Sequence, residues 1–158
     1  MSKLMAAVEA NDLQAVERLL NAGTDVNEQD AASRNYPLII AAFKGHDRVL
    51  ERLLDAGADL TVLDPGMDAT ALHAAAYAGR TRAAELLIRH GIAIDQKGPF
   101  NGFTALHDAV SQGHLETAQV IVSGGADVNL RNGSGATALA MATSRHDRRM
   151  AELLRAAA

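Results

Sequence analysis

Between Thr104 and Asn129 the apolar positions change phase twice. Leu106, Ala109 and Val110 fall on one stripe at helical spacing, and Leu115, Ala118, Ile121 and Val122 fall on a second. The pattern predicts two short helices, the first broken at Gly113 and the second stopped at Gly125. Thr104 can accept the backbone N–H of His107 through its hydroxyl and so caps the first helix. Glycine suits the left-handed residue that follows a helix because it has no Cβ to clash there. Each helix has about two to three turns, too few to be stable alone in water. Such a pair must stack against neighbours.

The neighbours are copies. The stop glycine recurs at Gly23, Gly57, Gly91 and Gly125, in steps of 34 residues, and a leucine stands at the same distance before each: Leu4, Leu38, Leu72 and Leu106. The mid-unit glycine recurs at Gly45, Gly79 and Gly113, and a last, truncated copy begins at Thr137-Ala138-Leu139. A fixed period of this size marks a stacked repeat array. The wording closely resembles the ankyrin repeat. Thr70-Ala71-Leu72-His73, Thr104-Ala105-Leu106-His107 and Tyr36-Pro37-Leu38-Ile39 stand where that family has T-P-L-H. Gly57-Ala58-Asp59 and Gly125-Ala126-Asp127-Val128-Asn129 match its closing G-A-D-V-N. The resemblance covers essentially the whole chain. It implies an all-α solenoid of helix-turn-helix units with hairpin-like finger loops, one domain over residues 1–158, with units about 1–33, 34–67, 68–101, 102–134 and 135–158.

The end units depart from the pattern as caps do. In the first, Asn11 takes the glycine slot, which its short side chain tolerates, and Leu13, Val16, Leu19 and Leu20 make the second helix amphipathic. In the last, His146 takes that slot, and Arg148, Arg149 and Arg155 cover a face that no further unit buries. The unit length of the family is about 33 residues. The first three loops here are one residue longer, and two contain Pro-Gly or Gly-Pro, so the extra residue is expected at the finger tip.

Composition narrows the function. Hydrophobic residues make up 48%, yet only two Tyr and three Phe are aromatic, so alanine and leucine carry the core. No cysteine is present, which removes disulfides, thiolate metal sites and cysteine nucleophiles. The N-terminal residues resemble neither a secretory signal nor a transit peptide, and no stretch approaches the roughly 20 apolar residues of a membrane span. A cytoplasmic protein with no membrane attachment is expected, and the polar caps predict a monomer. The net charge of −4 argues against general nucleic-acid binding, which needs a basic surface. Residues 1–30 are acidic and residues 131–158 are arginine-rich, which reads as two solvated caps.

Catalytic constellations fail on inspection. His73 and His107 occupy the same slot, where the resemblance implies a hydrogen-bonding residue that ties adjacent loops; a metal or general-base site would need converging partners. Asp25, Asp59 and Asp127 follow a stop glycine by two and are expected to bond their own loop backbone, with Asp95, offset by two, doing the same less well. His90 is expected to face solvent or the last carbonyls of its helix. No phosphate-binding glycine loop, H-E-x-x-H or G-x-S-x-G element occurs. The chain therefore reads as a non-enzyme, without metal or cofactor.

Function then falls to a surface. All five aromatic residues, Tyr36, Phe43, Tyr77, Phe100 and Phe103, lie in fingers or on first helices. They could fill space beneath the longer loops, as Tyr36 and Phe103 readily do. Phe43, Tyr77 and Phe100 could instead form an exposed anchor cluster, since aromatics are enriched at interface hot spots. Lys44, Arg80, Asp108 and Gln112 would rim it, and Phe103, Arg34 and Met67, from the loops, are counted among the partner-binding residues. The reading is a protein that grips another protein through groove and fingers. It is either an adaptor or regulator, or an inhibitor or immunity protein that plugs an enzyme cleft; a metal- or small-molecule-dependent enzyme on the histidine row is the remote rival.

Overall fold

Four of the five first helices begin on a hydroxyl. Ser2, Thr70, Thr104 and Thr137 each accept a backbone N–H three residues on, satisfying a donor that the helix start would leave orphaned. In the second unit Tyr36 makes no such bond and Pro37 opens the helix, where its missing N–H costs nothing. The computed structural model describes residues 1–158, with ten helices in five pairs. These are α1 (Lys3–Glu9) and α2 (Leu13–Asn21), α3 (Pro37–Lys44) and α4 (Asp47–Asp55), α5 (Ala71–Tyr77) and α6 (Thr81–Arg89), α7 (Ala105–Gln112) and α8 (Leu115–Ser123), and α9 (Ala138–Ser144) and α10 (Arg148–Ala157). Asn11 and His146 do adopt the left-handed conformation of the mid-unit glycines, at φ 54° and 58°.

The odd-numbered helices pack side by side as one layer and the even-numbered helices as another, each unit touching only those before and after it. Leu4, Leu38, Leu72 and Leu106 are buried between the layers, whereas Leu139, packed against a unit on one side only, is half-buried. The fold is the all-α solenoid the period predicts. No helix is long and apolar enough to cross a membrane.

Between units the chain makes four fingers, closed by backbone bonds from Asp30 N to Asn35 O, Asp64 N to Ala69 O, Gly98 N to Phe103 O and Asn132 N to Ala136 O. The extra residue of the first three does lie at the tip. Inside them the turn bond spans four residues (Arg34 N to Asp30 O, for example), but in the fourth it spans three, Gly135 N to Asn132 O. Asp30 shows why the first residue of a finger matters. Its fully buried carboxylate accepts the N–H of Ser33 and of Ser2, and these bonds hold its pKa down at about 2. Asp64 and Asn132 brace their own fingers from the same position.

Polar stitches also run from unit to unit, but not evenly. Asn35 Nδ2 donates to Asp64 Oδ2 across the first two fingers, and Gly133 N donates to Asn101 O across the last two. Asn27 accepts from Asp59 N and Asp95 from Asp127 N, again joining units one to two and three to four. Asp95 thus corrects the expectation that it braces its own loop: it sits in the slot of Asn27, not that of Asp25, and reaches the next unit. Asp25, Asp59 and Asp127 do bond the backbone two residues on. No hydrogen bond links the second finger to the third, and Thr61, in the Asn27 slot, turns to its own Asp59 instead.

Gly102 and Gly113 give an internal contrast. Both have positive φ, 65° and 75°, but a Cβ on Gly102 would meet Gly133 N at 2.7 Å while one on Gly113 would meet open space. Gly113→Ala should cost about 1–2 kcal/mol from backbone strain alone. Gly102→Ala adds an unrelievable backbone clash and should cost clearly more. Urea denaturation of both variants measures the difference.

Candidate functional site

The last turn of a first helix presents its side chains toward the fingers, and there the sequence places aromatics. Phe43 lies in the last turn of α3 and Tyr77 ends α5, in equivalent positions one unit apart, 45% and 53% exposed. Their rings do not stack on each other. Met67, 58% exposed, leans over from the tip of the second finger. With Ile39, Ile40, Ala69 and Ala74 these side chains line a cavity of about 520 Å³ between the first-helix layer and the fingers.

Four polar residues complete the lining: Asn35, Asp64, His73 and Asp108. Three are committed to the fold. Asp64 accepts from Gly66 N, Met67 N and Asn35 Nδ2, which occupies Asn35 as well. His73 Nδ1 lies 2.8 Å from Thr70 Oγ1, and its Nε2 donates to Phe103 O at 3.0 Å. Burial lowers the pKa of His73, which keeps it neutral. Only Asp108 is free. Its carboxylate has no hydrogen bond or ion pair; the one side-chain donor that reaches this residue, Ser111 Oγ, goes to its backbone oxygen. Desolvation pushes its pKa up to about 7.

The other residues proposed from the sequence are spread along the array. Lys44 is ion-paired with Glu9. Arg80 donates from Nε to Phe43 O at 3.0 Å, and its stem crosses Gly45 so closely that a Cβ there would meet it at 2.8 Å. His114 repeats the device one unit on, with Nε2 on Tyr77 O at 3.1 Å. Both satisfy a carbonyl that the end of a first helix would otherwise leave open. Gln112 is exposed on α7, and Arg34 is exposed in the first finger at φ 59°. Phe100 is 71% exposed in the third finger, outside the cavity. Phe103 is half-buried with its ring 5.5 Å from that of His107.

The structure therefore gathers Phe43, Met67, Tyr77 and Asp108, and leaves Arg34, Phe100, Phe103 and Gln112 outside this cavity. Ile40 and Asp108 hold the same slot in successive alternate units, a kinship with Ala6, Ala74 and Met141 that comparing the repeats position by position exposes. Only the fourth unit puts a charge there.

His107 differs from His73 in one respect. Its Nδ1 accepts from Thr104 N at 3.1 Å, so the proton is on Nε2, which is buried without a partner in hydrogen-bond geometry. The shorter fourth finger follows this histidine, whereas a long finger follows His73 and brings Phe103 O to it. No three His, Asp or Glu side chains converge as a metal site would need. His90 Nδ1 meets Leu86 O at 2.8 Å, a last-turn carbonyl of its own helix.

A family model described as ankyrin repeats matches residues 4–98, 38–132 and 94–158. No curated protein matches the chain.

Proposed function

Since the chain belongs to the ankyrin-repeat family, whose members are generally non-catalytic protein–protein interaction modules, we propose that it binds a partner protein through the cavity between its first helices and its fingers. The observation that carries this reading is the pair Phe43 and Tyr77. They sit on two adjacent first helices, α3 and α5, half exposed, while every other large apolar side chain of those helices is buried or half-buried. Packing does not require them. Large apolar side chains exposed together mark binding surfaces. The protein acts as an adaptor or regulator, without chemistry of its own, in the cytoplasm.

Phe43→Ala and Tyr77→Ala should each leave the thermal midpoint nearly unchanged and weaken partner binding by about ten-fold or more, the usual loss at an aromatic hot spot. Calorimetric melting and a pull-down from native lysate, with the double variant as control bait, measure the two sides. A large drop in midpoint with binding intact would show that the rings serve the core. The solvent-facing Phe100 favours a second reading, an inhibitor whose third finger enters a partner's cleft. In that case Phe100→Ala costs more binding than the two groove variants.

A further inference from the structure

The polar character of the cavity is one-sided. It contains two carboxylates, Asp64 and Asp108, and no lysine or arginine. Asp64 is occupied by its finger, so one carboxylate stands unanswered among Ile40, Phe43, Ala74 and Tyr77. The cations that stand next to Phe43 and Tyr77 in sequence are also spoken for, Lys44 by Glu9 and Arg80 by the carbonyl of Phe43. From α5 the cavity receives His73 and Tyr77 and from the second finger Asp64, and none of these supplies positive charge. A purely apolar guest would bury the Asp108 carboxylate without a partner, which is costly. A cation with an apolar collar would answer both features at once.

Resting on the groove reading above, we propose that the cavity receives an arginine side chain of the partner protein. The guanidinium meets Asp108 while its stem and planar face lie along Phe43, Tyr77 and Met67. Arginine fits better than lysine for two reasons. Its guanidinium is more weakly hydrated than an ammonium, so it gives up less on entering an apolar recess, and its flat face stacks on aromatic rings. The desolvation that raises the pKa of Asp108 supports the pairing, because a guest cation would restore the carboxylate and expel a proton.

The test is selection of peptides from a displayed random library on the intact protein, followed by isotherms with synthetic peptides. The expected peptides lose binding to Phe43→Ala/Tyr77→Ala and share one arginine. Replacing that arginine by citrulline weakens binding by about ten-fold or more, the worth of a hydrogen bond to a charged group. Asp108→Asn weakens the arginine peptide similarly and leaves the citrulline peptide unchanged. Binding near pH 7 also releases a proton, seen as a dependence of the calorimetric heat on the buffer. Groove-dependent peptides that lack a basic residue, or that bind Asp108→Asn as well as the parent, would overturn the proposal and leave the groove reading standing. A shared lysine in place of arginine would overturn the choice of side chain. Peptides indifferent to Phe43→Ala/Tyr77→Ala would overturn both readings.

Discussion

Leu72→Ala should lower the unfolding free energy by about 3–5 kcal/mol, whereas Leu139→Ala should cost about 1–2 kcal/mol. The chemistry of the two changes is identical; their positions in the stack differ. Leu72 is fully buried on α5, which packs against α3, α6 and α7, so the deletion leaves a cavity walled on all sides. Leu139 is half-buried on the last first helix, and water or a shifted neighbour can take the space. In an array where each unit touches only adjacent ones, a fault in the middle also removes two interfaces, while a fault at the end removes one. Urea denaturation followed by circular dichroism would show equal losses if the units contributed independently of position.

At pH 8 Asp108→Asn should be more stable than the parent by on the order of 2–3 kcal/mol, and at pH 4 the two should be nearly equal. The carboxyl has a pKa of about 7 in the fold, against 3.8 for the unperturbed group. Between those values the folded state therefore binds more protons than the unfolded state, and stability falls as pH rises. Above pH 7 both states are ionised and the whole cost of holding a partnerless charge in the cavity is present. The partial exposure of Asp108 and screening by water keep the figure below what the shift alone would give. His73 and His107 act in the opposite sense. Burial lowers their pKa, so they favour unfolding as pH falls below the ordinary histidine value of 6.5. Asparagine at 108 removes the first trend and spares the second, so the difference between the two pH profiles isolates Asp108. Parallel profiles would mean that its carboxyl titrates like an exposed one.

What could be read from the residues alone follows from what the period encodes. A glycine slot specifies a backbone conformation wherever it falls, so Gly45, Gly79 and Gly113, and even Asn11 and His146, behave as their positions predict. A leucine at fixed distance from a stop glycine faces the core in every interior unit. The aromatic slots were legible for the same reason: Phe43 and Tyr77 are exposed because equivalent residues of stacked helices face one direction. Contacts between units were harder to see. Asp95 looks like a displaced loop acid until its slot is compared with that of Asn27. Asp30 reads as one more finger acid, yet it is fully buried under bonds from its own finger and from Ser2 at the start of α1. Asp108 reads as a rim residue of the aromatic cluster, and only the cavity it lines together with Ala74 and Tyr77 of α5 shows that it is desolvated. Arg80 reads as a rim cation too, but it spans to the unit before.

The uneven stitching of the loops divides the finger row into two jaws. The first two fingers are tied to each other and the last two to each other, while only the helix layers, with Arg80 bridging to Phe43, join one pair to the other. Met67 rides on one jaw and Phe100 on the other, so the gape between these two side chains is set by the single joint that loop hydrogen bonds leave free.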